Sequence, residues 1–302
     1  MKKLLLFFTV VLSVLAAIGG VFYWWWFKAP STLTAAVQYG ERDGKPLLMD
    51  VFQPPNPNGA GVILAVSGGW KSNQDPIQPF LIAPFVRRGY TVFAVRHISQ
   101  PECTIGNIVE DMKRSVRFVR HHADDYEVDP DRLGVIGGSS GGHLSLMLGT
   151  CGGPGDPTVS DSVDRESSAV QCVACFYPPT DLLNLGASTE NTGDGGPPKS
   201  FKKGFGPRAE NLEDWKVLGR ELSPIYHITD AMPPTFIVHG DADTLVPLDQ
   251  SERFRDEATK QGRNVVLEVR PGKPHGWPTM IFDIIRFADW FDQHLKSTHH
   301  KK

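Results

Sequence analysis

Residues 133–144 read LGVIGGSSGGHL, and this stretch decides how the rest of the chain is interpreted. A short apolar run, 133–136, leads into a glycine-flanked pair of serines, and a helical pattern follows. Strand, tight turn and helix in this order are the context of a nucleophile elbow, in which a strained turn pushes a serine hydroxyl out of the sheet. The Gly-x-Ser-x-Gly pattern fits twice, at Ser139 and at Ser140, and spacing does not separate them. A phosphate-binding or merely tight glycine turn is the alternative.

Two later turns carry the acid and the base that a serine nucleophile needs. A serine hydroxyl reacts poorly unless a base takes its proton, and a carboxylate must orient that base. The apolar run 235–238 leads into a turn with Asp241 and Asp243, and the run 265–269 leads into a turn with His275. Because catalytic groups gather beyond the carboxyl ends of parallel strands, we expect both turns to lie at the same edge of the sheet as the serine.

A loop earlier in the chain offers hydrogen-bond donors for the oxyanion of an acyl-transfer reaction. One such donor is the backbone N–H of the residue after the nucleophile, and another comes from the loop after the third strand. The predicted strand 62–66 runs into Ser67-Gly68-Gly69-Trp70, whose glycines allow N–H groups to approach a bound oxygen closely. A plain Gly-Gly turn is the alternative interpretation.

Strand and helix patterns alternate along most of the chain, which predicts an α/β fold with a mostly parallel sheet and helices on both faces. One irregular stretch, 181–222, interrupts the alternation, and we expect it to be either a lid over the site or a flexible surface loop. No internal repeat or long linker is visible, so a single domain over 31–302 is the simplest interpretation. The predicted strands are 47–52, 62–66, 91–95, 133–136, 172–176, 235–238 and 265–269, and the predicted helices are 105–122, 144–148, 249–261 and 281–294.

The first thirty residues predict a membrane anchor. Residues 4–27 are almost entirely apolar and exceed the roughly 20 residues that span a bilayer. Tyrosine and three tryptophans at 23–26 suit the membrane–water interface, and lysines at 2 and 3 suit a cytoplasmic N-terminus, so the rest of the chain would lie outside. A signal peptide cleaved near residues 17–19 is the alternative, although it would leave an apolar, aromatic start. Both interpretations predict export.

Composition and cysteine spacing exclude other classes of function. The net charge of −3 gives no general attraction to nucleic acid, so we expect no such partner. Cys172 and Cys175 have metal-like spacing, but residues three apart on a strand face opposite sides. No second cysteine pair or histidine cluster completes a zinc site, so we expect buried thiols, no metal and no cofactor. Any disulfide pairing among the four cysteines stays open.

These motifs resemble the α/β-hydrolase esterases that include bifunctional feruloyl and acetyl-xylan esterases, with hormone-sensitive-lipase-like and prolyl-oligopeptidase-like relatives. The resemblance covers residues 47–295 approximately, and it implies a serine nucleophile followed by a small residue and Gly-Gly-His-Leu. It therefore favours Ser139 over Ser140 and Asp243 over Asp241. The segments that carry it are 67–70, 128–132, 137–144, 239–247 and 275–277.

The resemblance also implies the remaining site residues. His275 would be the base, and the oxyanion would be held by N–H groups of Ser140 and of Gly68 or Gly69. Trp70 and Trp277 are candidates for the border of the substrate pocket. Where the family usually has His-Gly-Gly-Gly-Trp, this chain has Val66-Ser-Gly-Gly-Trp70, so the loop shape and the substrate do not follow from the family pattern.

The function expected from the sequence is hydrolysis of small acyl or carbohydrate esters through an acyl-enzyme. A serine exopeptidase of the prolyl-oligopeptidase type is the first alternative, although such enzymes usually carry a large propeller domain before this core, and the segment ahead of the first strands is too short for one. A non-catalytic binding protein on the same fold is the second alternative, which loss of a triad residue would favour. Among the other histidines, His143 and His239 suit packing or turn bracing, and His97 stays undecided.

Overall fold

An eight-stranded sheet forms the centre of the protein, in a computed structural model that describes residues 2–295. The strands are β1 (Thr32–Arg42), β2 (Lys45–Gln53), β3 (Gly61–Ala65), β4 (Thr91–Val95), β5 (Leu133–Gly138), β6 (Cys172–Phe176), β7 (Thr235–Gly240) and β8 (Val265–Arg270). Their order in the sheet is β1-β2-β4-β3-β5-β6-β7-β8. The β1–β2 and β2–β4 pairs are antiparallel and all other pairs are parallel, which confirms the predicted mostly parallel sheet.

Helices cover both faces of this sheet, also as predicted. One apolar layer joins the sheet to α3, α4 and α6, and a second joins the opposite face to α2 and α7. The seven helices are α1 (Lys2–Phe27), α2 (Ala83–Val86), α3 (Ile105–His121), α4 (Ser140–Cys151), α5 (Leu212–Glu221), α6 (Asp249–Lys260) and α7 (Met280–Leu295). Residues 296–302, which the sequence assigned to the same domain, lie outside the described part of the chain.

The strand β6 places the side chains of Cys172 and Cys175 on opposite faces of the sheet. Cys172 packs in the α7 layer and Cys175 packs in the opposite layer, as the strand periodicity predicts. Both thiols are buried and unpaired, and burial raises the pKa of each. They are therefore inert packing residues. Cys103 is also a buried free thiol, and Cys151 is a half-buried one.

Three elements are not predicted from the sequence: β1, α2 and α5. The helix α2 has only four residues, too few to show a helical repeat. The edge strand β1 buries only Tyr39 and lacks the apolar run by which the other strands are recognised. The helix α5 lies inside the irregular 181–222 stretch. Its N-cap is Asn211, whose side chain accepts hydrogen bonds from the N–H groups of Glu213 and Asp214. That N-cap signal was present in the sequence, but the surrounding glycines and prolines obscured it.

The 181–222 insertion is packed against the site edge of the sheet. Phe201 and Phe205 contact the indole of Trp70 edge-on, with ring centroids 5.3 and 5.8 Å away. Trp215 of α5 packs behind Phe205 at 4.9 Å and is fully buried. These contacts make the insertion continuous with the apolar layer that contains α3, α4 and α6.

The helix α1 is the one helix among the described residues that is long and apolar enough to cross a membrane. Most of it is exposed, but its C-terminal end contacts the rest of the protein. Trp26 is buried, and its ring lies 6.0 Å from that of Phe282 at the start of α7. The Arg87 guanidinium donates to the carbonyls of Trp24 and Trp25 in the last turn of the helix, and the Trp24 carbonyl also accepts the Lys28 N–H.

A buried ion pair fixes the end of β4 next to the site. Arg96 lies 2.9 Å from the Asp50 carboxylate, and both side chains are nearly inaccessible to solvent. The same carboxylate accepts the N–H of Ala36, and Arg96 also donates to the carbonyl of Gln74. One charged pair thus connects strands β1, β2 and β4 to the loop that follows β3.

We expect Arg96→Leu to lower the free energy of unfolding by about 3–5 kcal/mol, because it leaves the Asp50 carboxylate buried without a counter-charge. Urea unfolding of the full chain in detergent micelles measures this. The double variant Asp50→Leu/Arg96→Leu should recover most of the loss, since no charge is then buried. A loss below about 1 kcal/mol in the single variant would show that the pair behaves like an exposed one.

Candidate active site

The turn between β5 and α4 holds Ser139 in a strained conformation. Its backbone has φ 55° and ψ −121°, and a positive φ is unfavourable for a residue with a side chain. The turn is tight because backbones approach closely on both sides. A Cβ on Gly137 would collide with the carbonyl of Gly141, and a Cβ on Gly141 would lie 2.7 Å from the carbonyl oxygen of Ala65. The glycines two residues either side of Ser139 are therefore a steric requirement.

Hydrogen bonds link Ser139 to His275 and His275 to Asp243. The three residues follow the carboxyl ends of β5, β8 and β7 respectively. The Ser139 Oγ lies 2.9 Å from His275 Nε2, and His275 Nδ1 lies 2.7 Å from Asp243 Oδ2. Because Nδ1 donates to the carboxylate, Nε2 of the neutral ring is left to accept the serine proton. The structure thus brings together the three residues that the sequence predicted, in an arrangement that can move a proton from Ser139.

The Asp243 carboxylate is buried yet well supplied with donors. Burial by itself would raise its pKa, but hydrogen bonds from His239, from His275 and from the Val246 N–H outweigh that effect and hold the pKa well below its usual range. His239 also contacts the Ser251 hydroxyl and the Val246 carbonyl, so it braces the turn as expected. Asp241 is exposed and accepts from the Gly272 N–H instead.

Ser140 points away from His275 into a separate buried relay. Its Oγ lies 3.0 Å from Ser67 Oγ, which lies 2.9 Å from His97 Nε2, and His97 Nδ1 lies 2.9 Å from the carbonyl of Ile98. Because His97 Nδ1–H donates a hydrogen bond to the Ile98 carbonyl, Nε2 accepts one from the Ser67 hydroxyl, and Ser67 in turn accepts one from the Ser140 hydroxyl. Burial lowers the pKa of His97, which keeps the ring neutral and suited to this role.

The loop after β3 supplies one N–H donor to the site. The sequence predicted an oxyanion donor from Gly68 or Gly69, and the Gly68 N–H donates to the carbonyl of Lys71 at 2.9 Å in a small bridge, which favours Gly69. Within residues 2–295 no protein acceptor takes the N–H of Gly69 or of Ser140. Ser140 is also the first residue of α4, where the helix dipole favours negative charge. Gly69 and Ser140 are the donors that fit an oxyanion.

Two cavities of very different size meet at Ser139. The first, here called the slot, has a volume of about 80 Å³ and is bordered by Trp70, Ser140 and residues of the insertion. The second, here called the chamber, has a volume of about 710 Å³ and is bordered by His275, Trp277 and the start of α7. The two tryptophans predicted at the pocket border therefore line one cavity each. Both are almost fully buried as well.

Two further side chains support these groups. The Tyr177 ring lies 4.4 Å from that of His275, and burial, with the nearby Asp243 charge, raises its pKa to about 12. Sequence reasoning missed Tyr177, although it follows β6 directly at the site edge. His143 accepts from the Trp70 indole N–H and donates to the Leu222 carbonyl, and burial lowers its pKa to about 4. His143 therefore positions Trp70 as a neutral packing residue.

Comparison with known proteins places this geometry in a family. The BD-FAE family model matches residues 49–258. Esterase LipQ of Mycobacterium tuberculosis is 30% identical over 226 residues, which cover 73% of this chain and 51% of LipQ. The chain spans about half the length of the curated relatives it matches.

Solved structures share the fold. The acetyl ester-xyloside bifunctional hydrolase from Caldicellulosiruptor lactoaceticus superimposes with a TM-score of 0.70 at 23% identity, over 86% of this chain and 96% of that one. The propionate-bound esterase Est2 of Thermogutta terrifontis gives 0.65 at 23% identity, over 87% and 93%. Because the family model covers more than half of the sequence and the fold agrees, this chain belongs to the BD-FAE family and has the α/β-hydrolase fold.

Proposed function

We propose that the protein is a carboxylic-ester hydrolase with Ser139 as nucleophile, His275 as base and Asp243 as orienting acid. One observation carries the proposal: the unbroken hydrogen-bond sequence from the Ser139 hydroxyl through both ring nitrogens of His275 to the buried carboxylate. The curated relative LipQ, named an esterase, supports it.

The proposed reaction is acyl transfer in two steps. His275 Nε2 takes the Ser139 proton as Oγ bonds to the ester carbonyl carbon. The resulting oxyanion accepts hydrogen bonds from the N–H groups of Gly69 and Ser140. Asp243 stays ionised and stabilises the imidazolium, since its pKa lies far below neutrality. His275 then gives its proton to the departing alcohol oxygen. Water, deprotonated by the same ring, releases the acid and restores Ser139.

The proposed substrates carry a short acyl group. The slot measures about 80 Å³, roughly half of the 150 Å³ cavity that accommodates benzene in a protein interior. Its walls are apolar side chains such as Leu182, Leu185 and Phe201, so it suits an alkyl group of a few carbons. The similar Est2 structure contains propionate, a three-carbon acid, which supports this size.

We also propose that α1 stays attached as a membrane anchor, with the sheet on the outer side. A cleavable signal sequence passes the same tests of length and hydropathy. The end of α1 is built into the protein: Trp26 is buried, and Arg87 binds the carbonyls of Trp24 and Trp25. Cleavage near residue 20 would keep these contacts but leave the exposed apolar residues 21–23 at the start of the mature chain, which favours the anchor.

A fluorophosphonate probe is expected to label Ser139 of the purified full chain, because that hydroxyl alone is paired with His275. Peptide mapping by mass spectrometry identifies the labelled residue. Ser139→Ala should lose the label and lower kcat for ethyl acetate by at least about 10⁴-fold. Ser140→Ala is the matched control and should still be labelled at Ser139. Labelling of Ser140, or no labelling of the native chain, would contradict the proposal.

His97 is expected to act as a positioning residue for the Ser140 end of the oxyanion site. His97→Leu removes the acceptor for Ser67, so we expect kcat to fall about tenfold, less than the 10²–10³-fold loss of a direct donor, with KM nearly unchanged. Steady-state kinetics on ethyl acetate measure both constants. His97→Gln retains an acceptor near the Nε2 position and should restore most of kcat. Equal losses in both variants would point to packing alone.

The anchor proposal predicts that membranes from expressing cells retain the full chain after alkaline carbonate washing. N-terminal sequencing of that material should find the residues before position 20, because no cleavage is expected there. A mature N-terminus near Gly20 would show instead that the segment is a cleaved signal peptide.

A further inference from the structure

The slot and the chamber meet at Ser139, Gly69 and Leu245, and their other lining residues differ, so the two cavities can hold different halves of an ester. The chamber is about nine times larger, at 710 Å³ against 80 Å³. Volumes of 300–1,000 Å³ are typical of sites that enclose a whole small molecule. The protein is therefore built for a substrate with one small and one large half.

The position of His275 indicates which half enters which cavity. His275 must give a proton to the departing alcohol oxygen, so the alcohol lies on the histidine side of the nucleophile. His275 lines the chamber and is absent from the slot, whereas Ser140, an oxyanion donor, lines the slot and is absent from the chamber. The acyl group therefore fits the slot, and the alcohol fits the chamber.

The chemistry of the chamber wall favours an apolar alcohol. Its polar groups already have partners: the Ser67 hydroxyl binds His97, the Tyr177 hydroxyl lies 3.5 Å from the Met280 sulfur, and the Trp277 indole N–H donates to Asp283. A sugar would leave its hydroxyl groups unpaired there. The remaining wall is aliphatic and aromatic, and it includes Ile77, Phe80, Leu81, Ile281, Ile284 and Phe287.

The lip of the chamber touches the end of α1. The Phe80 ring, which lines the chamber, lies 5.5 Å from that of Phe27. Phe282, next to the lining residue Ile281, contacts Trp26. The Arg87 guanidinium holds this arrangement, since it binds the carbonyls at the helix end and lies 4.2 Å above the Trp24 ring. The aromatic end of an anchor lies at the membrane surface, so the chamber would open there.

Resting on the proposed function, we infer that the substrates are esters of short acids with long apolar alcohols, which enter the chamber from the membrane surface. The acyl group occupies the slot, and the apolar chain of the alcohol lies among the side chains between α7 and the segment 77–81. The departing alcohol returns to the bilayer by the same opening.

A pair of isomeric esters tests this orientation. Octyl acetate and ethyl octanoate have the same atoms and nearly the same hydrophobicity, but the long chain lies on opposite sides of the ester. We expect the full chain in phosphatidylcholine vesicles to hydrolyse octyl acetate with a kcat/KM at least about tenfold higher, and each added methylene of the alcohol to raise kcat/KM about fourfold until the chamber is full. Equal rates, or a preference for ethyl octanoate, would overturn the inference.

The chamber itself is tested by Ile281→Trp, which places a larger side chain in its wall. The ratio of kcat/KM for octyl acetate to that for ethyl acetate should fall about tenfold. Val217→Trp is the matched control, because Val217 is exposed on α5 and does not line the chamber, so the ratio should not change. Fluorophosphonate labelling reports whether each variant is folded, and Leu81→Trp replaces Ile281→Trp if that chain misfolds. An unchanged ratio in a labelled variant would overturn the assignment.

The membrane route has its own test. Arg87→Ala removes the contact that fixes α1 at the lip, so hydrolysis of hexadecyl acetate embedded in vesicles should fall severalfold while that of soluble ethyl acetate stays the same. Arg208→Ala, an exposed arginine paired with Glu221, is the control. Unchanged hydrolysis of the embedded ester would overturn delivery from the membrane. Absence of both labelling and hydrolysis of every ester would instead reject the underlying function.

Discussion

The close backbone contacts around Ser139 are the constraint on which the site depends. A serine at φ 55° is strained by about 1–3 kcal/mol, and the surrounding structure must hold it there. The Ser139 N–H donates to the carbonyl of Phe176 in β6, and its carbonyl accepts the N–H of His143 in α4. Gly137 and Gly141 allow α4 to begin against the backbone of β3. The parallel sheet thus fixes the nucleophile, the start of the helix and the neighbouring N–H donors together.

The electrostatics of the site follow from what surrounds each titratable group. Asp243 receives backbone and histidine donors and stays ionised despite its burial, whereas His97 and His143 lie where burial lowers their pKa and keeps them neutral. The histidines around the site can therefore serve different purposes. His275 is the proposed base, His97 accepts one hydrogen bond in a relay, and His143 accepts the indole N–H of Trp70.

The sequence predicts the parts of this site that depend on local pattern. The glycine spacing around Ser139 and the positions of Asp243 and His275 just after apolar strands are enough to bring these residues to one edge. The sequence could not predict that the Gly68 N–H donates to the Lys71 carbonyl and is therefore not free to bind an oxyanion, because this contact depends on the shape of the loop. Tyr177 and the relay through His97 depend on which strands are neighbours in the sheet. The edge strand β1 was missed because it has almost no buried side chain.

The departure from the family's His-Gly-Gly-Gly-Trp pattern has a physical explanation in the chamber. Val66 lines that cavity, so a histidine at this position would bring an imidazole to an apolar wall. In this chain the imidazole comes instead from His97 at the end of β4, and the Ser67 hydroxyl links it to Ser140. The loop after β3 is thus supported by a buried histidine that follows β4. Val66 gives the chamber an apolar side chain at the position where the family usually has histidine. Of the two departures from the family pattern, only Val66 makes the chamber wall more apolar, and it is this one that supports the proposed apolar alcohol.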